Sequence, residues 1–200
     1  MFEINNLQFK QVVKYHQVFH MKNFYKKPEA ISNLLKNMEP EVHKKNEIDS
    51  LNGKMFLDRR HSFYNNTLIE TEKKLKNFFS IESESSGLVT TNVFKMLDEK
   101  FNNYKENYWW PHKDNARYVC LIYLNDPGCD GTNLYEDTNF NPTKPEHQQP
   151  WINKKNFTCF FTFKPSFNDL FIFPANMLHG MNIETDRFFK EDRINQAIFL

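Results

Sequence analysis

Past residue 87 the chain no longer carries a helical period: short β-branched and aromatic runs alternate with turn clusters all the way to the C-terminus. That texture belongs to a sandwich or barrel of strands. Strands are predicted near 88–97, 108–114, 117–124, 132–136, 157–163, 169–174 and 193–199. Between them, residues 137–156 (DTNFNPTKPEHQQPWINKKN) hold three prolines and many amides, which rules out any long regular element there. A loop of that length in a compact domain points to function more than to simple connection.

The first 86 residues read differently. KPEAISNLLKNM (27–38) spaces Ile31, Leu34 and Leu35 along one helical face, with Pro28 and Glu29 suited to a first turn. TLIETEKKLKNFF (67–79) repeats the pattern, with glutamates ahead of lysines as the helix dipole favours. The stretches 8–19 and 52–64 look extended or irregular. The expectation is one domain over 1–200: a helical support region, 1–86, packed outside a β core, 87–200, that carries the loop 137–156. With 200 residues such a domain buries roughly 70% of its unfolded surface.

Charge narrows the function classes. Lys and Arg number 26 against 25 Asp and Glu, so no global field recruits nucleic acid or an anionic membrane. Lys154 and Lys155 beside Trp151 are the one local hint of a nucleic-acid surface. The N-terminus lacks the apolar core of a signal peptide, and no apolar run approaches the ~18 residues of a membrane span. Three cysteines, without CxxC spacing, match neither a disulfide framework nor a zinc ribbon. A reducing, cytoplasmic location is the simplest expectation.

Chemistry must then come from a site. His112 and Asp114 stand two apart in a predicted strand, so an imidazole and a carboxylate share one face. They precede the apolar run Val119–Leu124. A second histidine pair, His16 and His20 in HQVFH, lacks the glutamate that a zinc protease needs after the first histidine, because Gln17 stands there. His43, His61 and His147 have no partner at ligand spacing.

Taken together, HKD at 112–114, YLND at 123–126, DGT at 130–132, FPANMLHG at 173–180 and RIN at 193–195 resemble the Fe(II)/2-oxoglutarate dioxygenases, in particular their small prolyl-4-hydroxylase-like branch. The resemblance covers about residues 100–200. It implies a mainly β, double-stranded β-helix (jelly roll, cupin-like) with the N-terminal helices packed outside. It also implies a metal site in which His112, Asp114 and His179 hold Fe(II) on one face and leave the other open, the two-histidine, one-carboxylate arrangement of non-haem iron oxygenases.

The same resemblance implies the cosubstrate and its anchors. The far carboxylate of 2-oxoglutarate needs a buried cation, and arginine's planar fork suits it. Arg193, opening the alternating run RINQAIFL, is preferred; Arg187, in RFFKED, is the alternative. Tyr123 matches a tyrosine that supports that carboxylate, Asn195 shares the face of Arg193, and Tyr104 corresponds to a tyrosine near the metal-bound end. Asn133 either lines the cosubstrate cavity or packs as an ordinary strand residue. Of Trp109 and Trp110, one belongs to the core and the other walls the entrance. The sequence departs from the family pattern at Asp130, where a glycine is expected, and at Asn195, where Ser or Thr is common.

The expected activity is hydroxylation of a C–H bond by O2 and 2-oxoglutarate, yielding succinate and CO2, with ascorbate as a possible reductant. Asp114 favours hydroxylation over halogenation, since halogenating relatives replace that carboxylate with Gly or Ala. A prolyl, peptidyl, free amino-acid or other small-molecule substrate fits. A jelly-roll binding protein that has lost turnover, or a nucleic-acid demethylase of similar fold, remains the alternative. Oligomeric state is not encoded in any feature of the sequence.

Overall fold

The computed structural model describes residues 2–37, 56–62, 66–82, 89–96, 104–125, 130–136 and 151–200. Strands β1 (Lys10–Gln11) and β2 (Phe19–Met21) come first, followed by helix α1 (Pro28–Asn37), strand β3 (Phe56–Ser62) and helix α2 (Asn66–Phe78). The β-rich part follows as β4 (Val89–Met96), β5 (Asn107–His112), β6 (Tyr118–Tyr123), β7 (Thr132–Tyr135), β8 (Trp151–Asn153), β9 (Cys159–Phe163), β10 (Leu170–Pro174) and β11 (His179–Met181). Helix α3 (Arg187–Lys190) and β12 (Arg193–Phe199) close the chain.

These strands form two antiparallel sheets. The larger runs β1-β2-β10-β6-β12-β4-β3 and the smaller β8-β5-β11-β7-β9. Successive strands repeatedly cross from one sheet to the other, as in a jelly roll. The predicted strands 88–97, 108–114, 117–124, 132–136, 157–163, 169–174 and 193–199 all appear: the last with the same bounds, that near 108–114 as 107–112, and the others with one or both ends trimmed.

The large sheet is buried on both faces, which explains why β6 reads as an unbroken apolar run. Val119, Leu121 and Tyr123 point to the inter-sheet core with Phe171 and Phe173 of β10, Leu134 of β7 and Ala197 of β12. Tyr118, Cys120, Ile122 and Leu124 point the other way, onto Ile31 and Leu35 of α1, Leu75 of α2 and the N-terminal Phe2 and Phe24. Strand alternation thus feeds two cores at once. Across the sandwich, Phe163 stacks on Phe171 with centroids 4.2 Å apart and planes 4° from parallel.

The N-terminal segment does more than support. Besides α1 and α2, which cover the outer face, it supplies β1, β2 and β3 to both edges of the large sheet. Short strands like β1 and β2 carry too little periodicity to be read in advance, because edge pairing depends on backbone groups common to every residue. Tyr25 ties this segment down: its N–H donates to Asn168 Oδ1 (2.8 Å), and its hydroxyl donates to Gln196 Oε1 (2.6 Å). Of the loop expected over 137–156, residues 137–150 lie outside the described residues; 151–153 form β8, paired with β5, and 154–156 a single 3-10 turn. No helix among the described residues is long and apolar enough to cross a membrane.

Candidate metal centre

His112 is the last residue of β5, and His179 the first of β11. The two are register partners, so their rings meet, with centroids 4.3 Å apart. Asp114 lies beyond the end of β5, not within it. Its place is fixed by its own N–H, which donates to the carbonyl of Ala175 at 2.9 Å. The HxD pair therefore converges through a tether to the segment ahead of His179, where strand alternation alone had been expected.

Both imidazoles are held in the same way. Nδ1 of His112 lies 2.6 Å from the carbonyl oxygen of Trp110, and Nδ1 of His179 lies 2.8 Å from that of Met177. A carbonyl oxygen can only accept, so each Nδ1 carries the proton and each Nε2 presents its lone pair. This is how metal-ligating histidines are usually oriented. Nε2 of His179 stands 3.2 Å from Asp114 Oδ2, and Nε2 of His112 stands 3.8 Å from Asp114 Oδ1. The three donor atoms lie within 4.8 Å of one another. Ligands each about 2.1 Å from one ion on a shared octahedral face are about 3 Å apart, so a small inward movement suffices. The His179 side chain is 6% exposed and that of His112 26%, which leaves the open side of the group toward His112 and Asp114.

A bulge aims His112. Three residue steps on β5, Trp109 to His112, pair with two on β11, Met181 to His179. The extra residue is absorbed where Trp110 takes φ 49°, a left-handed conformation that is costly for a bulky side chain. Gly180 makes room for this: a Cβ there would come within 2.5 Å of the Trp109 carbonyl oxygen and 3.2 Å of that of Trp110. The glycine after His179 is thus required by the approach of the bulge.

Deeper in the sandwich lies a second feature. Arg193, Asn195 and Ala197 share the inward face of β12, and Arg193 is 4% exposed. Its guanidinium carbon stands 5.5 Å from the centroid of the Tyr123 ring, and one amino group reaches the Gly131 carbonyl at 3.4 Å. Nε has no partner, nor has the buried Oδ1 of Asn195. Among the described residues no carboxylate pairs with this arginine. The Tyr123 hydroxyl is 2.6 Å from Thr132 Oγ1. Thr132 sits two positions along β7 from Leu134, the register partner of His179. That places the arginine region about 7 Å further along the strand direction than the histidine.

The remaining expected residues fall elsewhere. Arg187 lies on α3 with Nε 2.6 Å from Glu191 Oε2, on the surface side. Tyr104 packs against the cluster of Trp109, Ile183 and Phe188, and among the described residues no hydrogen bond joins it to His112, Asp114 or His179. Asn133 faces opposite to Thr132, away from Tyr123; it donates to Asn182 Oδ1 (3.1 Å) and accepts from Thr162 Oγ1 (2.8 Å), an ordinary buried network. Trp109 is the core tryptophan, 2% exposed, and Trp110 is half-buried with its ring 6.4 Å from that of His112.

Asp130, at the position of the expected glycine, has a structural reason. Its Oδ2 accepts from the Glu184 N–H (3.2 Å) and the Thr185 hydroxyl (3.3 Å), pinning the segment after β11. Burial pushes its carboxyl above the usual range against these hydrogen bonds. Gly131, the glycine retained, is the one the packing demands, since a Cβ would come within 1.9 Å of the Phe163 carbonyl oxygen. Thr132 and the two carbonyls that orient the histidines escaped sequence reasoning. The alternation of β7 about Leu134 pointed to Thr132; nothing in a side chain marks a carbonyl.

No protein-family model matches the chain, and no curated protein does. Solved structures do. The non-haem alpha ketoglutarate dependent epimerase SnoN from nogalamycin biosynthesis superposes with TM-score 0.52 at 14% identity, covering 92% of this chain and 76% of that one. SnoN in complex with Fe3+, alpha ketoglutarate and nogalamycin RO gives TM-score 0.52 at 13% identity, covering 92% and 79%. The fold is the jelly roll of these oxygenases. A 2OG-Fe(II) oxygenase family oxidoreductase from Burkholderia pseudomallei aligns at TM-score 0.49 and 11% identity over 91% of this chain and 82% of its own.

Proposed function

We propose that the protein is an Fe(II)- and 2-oxoglutarate-dependent oxygenase in which His112, Asp114 and His179 hold the metal. Arg193 and Tyr123, with Asn195 beside them, receive the far carboxylate of the cosubstrate. The observation that carries this reading is Arg193: a buried cation with an unpartnered Nε and, among the described residues, no carboxylate partner, one short step deeper than the histidine pair. A charge removed from water without compensation is strongly unfavourable, so such a group is expected to receive an anion.

When bound, iron and 2-oxoglutarate together supply oxidative decarboxylation to succinate and CO2, using O2, with oxidation of a substrate C–H bond. The chain's own residues do the positioning. Nδ1–H bonds to the carbonyls of Trp110 and Met177 keep both imidazoles turned with Nε2 toward the metal position. Asp114 supplies the negative ligand and occupies the place a halide would need. Phe173, edge-on to His179 at 4.7 Å, and Leu134 line the interior with apolar surface and exclude water from the oxidising centre. Trp110 stands beside His112 at the more exposed side, where substrate approaches.

Within this reading the substrate is a small molecule or a peptide side chain. Prolyl or free amino-acid hydroxylation, the outcome in the branch the sequence resembles, is the first to test, with ascorbate as reductant and a cytoplasmic setting. Purified protein supplied with Fe(II), 2-oxoglutarate and O2 should form succinate, and screened peptides and metabolites should gain the mass of one oxygen atom. Epimerisation, the chemistry named for SnoN, would leave the mass unchanged. Absence of succinate under all these conditions would favour a binding protein on the same scaffold.

A further inference from the structure

At the β1–β2 edge of the large sheet, Lys10, His20 and Lys22 come together around one groove. Lys10 of β1 is the register partner of His20 of β2, which is in turn the partner of the inward-facing Phe171. Lys10 and His20, as register partners, belong to one side of the sheet, and Lys22, just past the end of β2, joins them in lining the same groove. They line a groove of about 600 Å³ whose other walls include the amides of Asn6 and Gln8. Among the described residues no acidic side chain lines it. Lys10, Lys22, Asn6 and Gln8 make no hydrogen bond or ion pair with any other side chain among the described residues.

The histidine is set from behind. Nε2 of His20 lies 3.1 Å from Oδ2 of the buried Asp169, at an angle too oblique for a hydrogen bond, and the ring stands edge-on to Phe163 at 5.0 Å. Asp169 is anchored in turn by the Ser166 N–H at 2.8 Å. Nε2 is thus buried beside the carboxylate, and Nδ1 makes no hydrogen bond among the described residues. On the rim, Asn5 donates to the Asn23 carbonyl at 2.7 Å and ties down the extended segment that carries Asn6 and Gln8.

We propose that this groove is a second ligand site, separate from the metal centre, for a small molecule bearing a phosphoryl group. Two compact ammonium charges, an imidazole and amide donors match the several oxygens of a tetrahedral phosphoryl group, whereas no arginine among the described residues supplies the planar fork that favours a carboxylate. The volume falls within the range of small-molecule sites, about 300–1,000 Å³.

The test is a titration of the full chain followed through its backbone amide NMR shifts, with inorganic phosphate and glycerol phosphate as probes. Chloride at matched ionic strength and succinate serve as comparisons. The expected result is saturable shifts confined to residues 5–10 and 20–23, larger for the phosphoryl compounds than for succinate. The Lys10→Gln/Lys22→Gln double variant, altered only at exposed positions, should bind at least ~10-fold more weakly, while Lys36→Gln on α1 should bind as the parent does. His20→Gln separates the imidazole's share. Shifts that do not saturate, that spread over lysines generally, that survive the double variant or that favour succinate would overturn the proposal. The readout needs neither iron nor turnover, so it stands or falls independently of the oxygenase reading.

Discussion

His112 and His179 are cross-strand partners on β5 and β11, with ring centroids 4.3 Å apart and each Nδ1 bound to a carbonyl two residues earlier in its own chain. Two strand ends and two main-chain carbonyls thus aim both Nε2 atoms at the side where the Asp114 carboxylate lies. The pairing is a property of sheet register, so on the proposed reading neither partner can be replaced without loss of metal binding.

His179→Ala is therefore expected to abolish iron binding and turnover together, measured as metal per chain after reconstitution with Fe(II). Retention of the full metal stoichiometry would exclude His179 as a ligand. Asp114→Ala should also stop oxidation but leave weakly bound metal, since two imidazoles remain aligned.

Gly180→Ala tests the bulge. The added methyl would meet the Trp109 carbonyl oxygen at 2.5 Å, which must shift β5 against β11. A cost of about 1–3 kcal/mol is expected for such overpacking, visible as a lowered melting temperature, and iron affinity should fall with it because His112 rides on β5. Unchanged stability and metal affinity would show that the close approach does not constrain the site.

Arg193→Ala is expected to weaken 2-oxoglutarate binding by two to three orders of magnitude, because removing one partner of a buried ion pair costs about 3–5 kcal/mol. Iron affinity should be nearly intact. Tyr123→Phe deletes a hydrogen bond to a charged group, worth about 1.5–3 kcal/mol, and its effect should be smaller. Arg187, paired with Glu191 on α3, serves as the comparison: a large loss in Arg187→Ala alone would move the anchor out of the sandwich. The 2-oxoglutarate dependence of succinate formation reads all three.

Asp130 gives a pH dependence with a definite sign. Burial raises its folded-state value above the unfolded one, so the folded chain binds the extra proton more tightly. Its contribution to stability is complete below the unfolded value, about pH 4, and is lost as pH rises through the raised folded value. Asp130→Asn keeps an acceptor oxygen for Glu184 N–H and Thr185 but has no proton to lose. Relative to this variant, the parent should lose stability as pH rises from about 4 toward neutrality, measured by urea denaturation at several pH values. A difference independent of pH, or one of opposite slope, would contradict the assigned environment.

What the sequence determined by itself was whatever depends on side-chain pattern over short range. The run Val119–Leu124 could only be a strand, α1 and α2 announced themselves by the spacing of Ile31, Leu34, Leu35 and Leu75, and the order of motifs from His112 to Arg193 pointed to the jelly roll. Only the tertiary structure decided that Asp114 lies beyond its strand, that Trp110 forms a bulge Gly180 must accommodate, and that Thr132, not Asn133, faces Tyr123. It also decided that the N-terminal region lends three strands to the large sheet. The physical reason is common to these cases. They are set by register and by main-chain hydrogen bonds between segments far apart in the chain, and every residue except proline carries the same N–H and C=O, so the side-chain sequence leaves them unmarked.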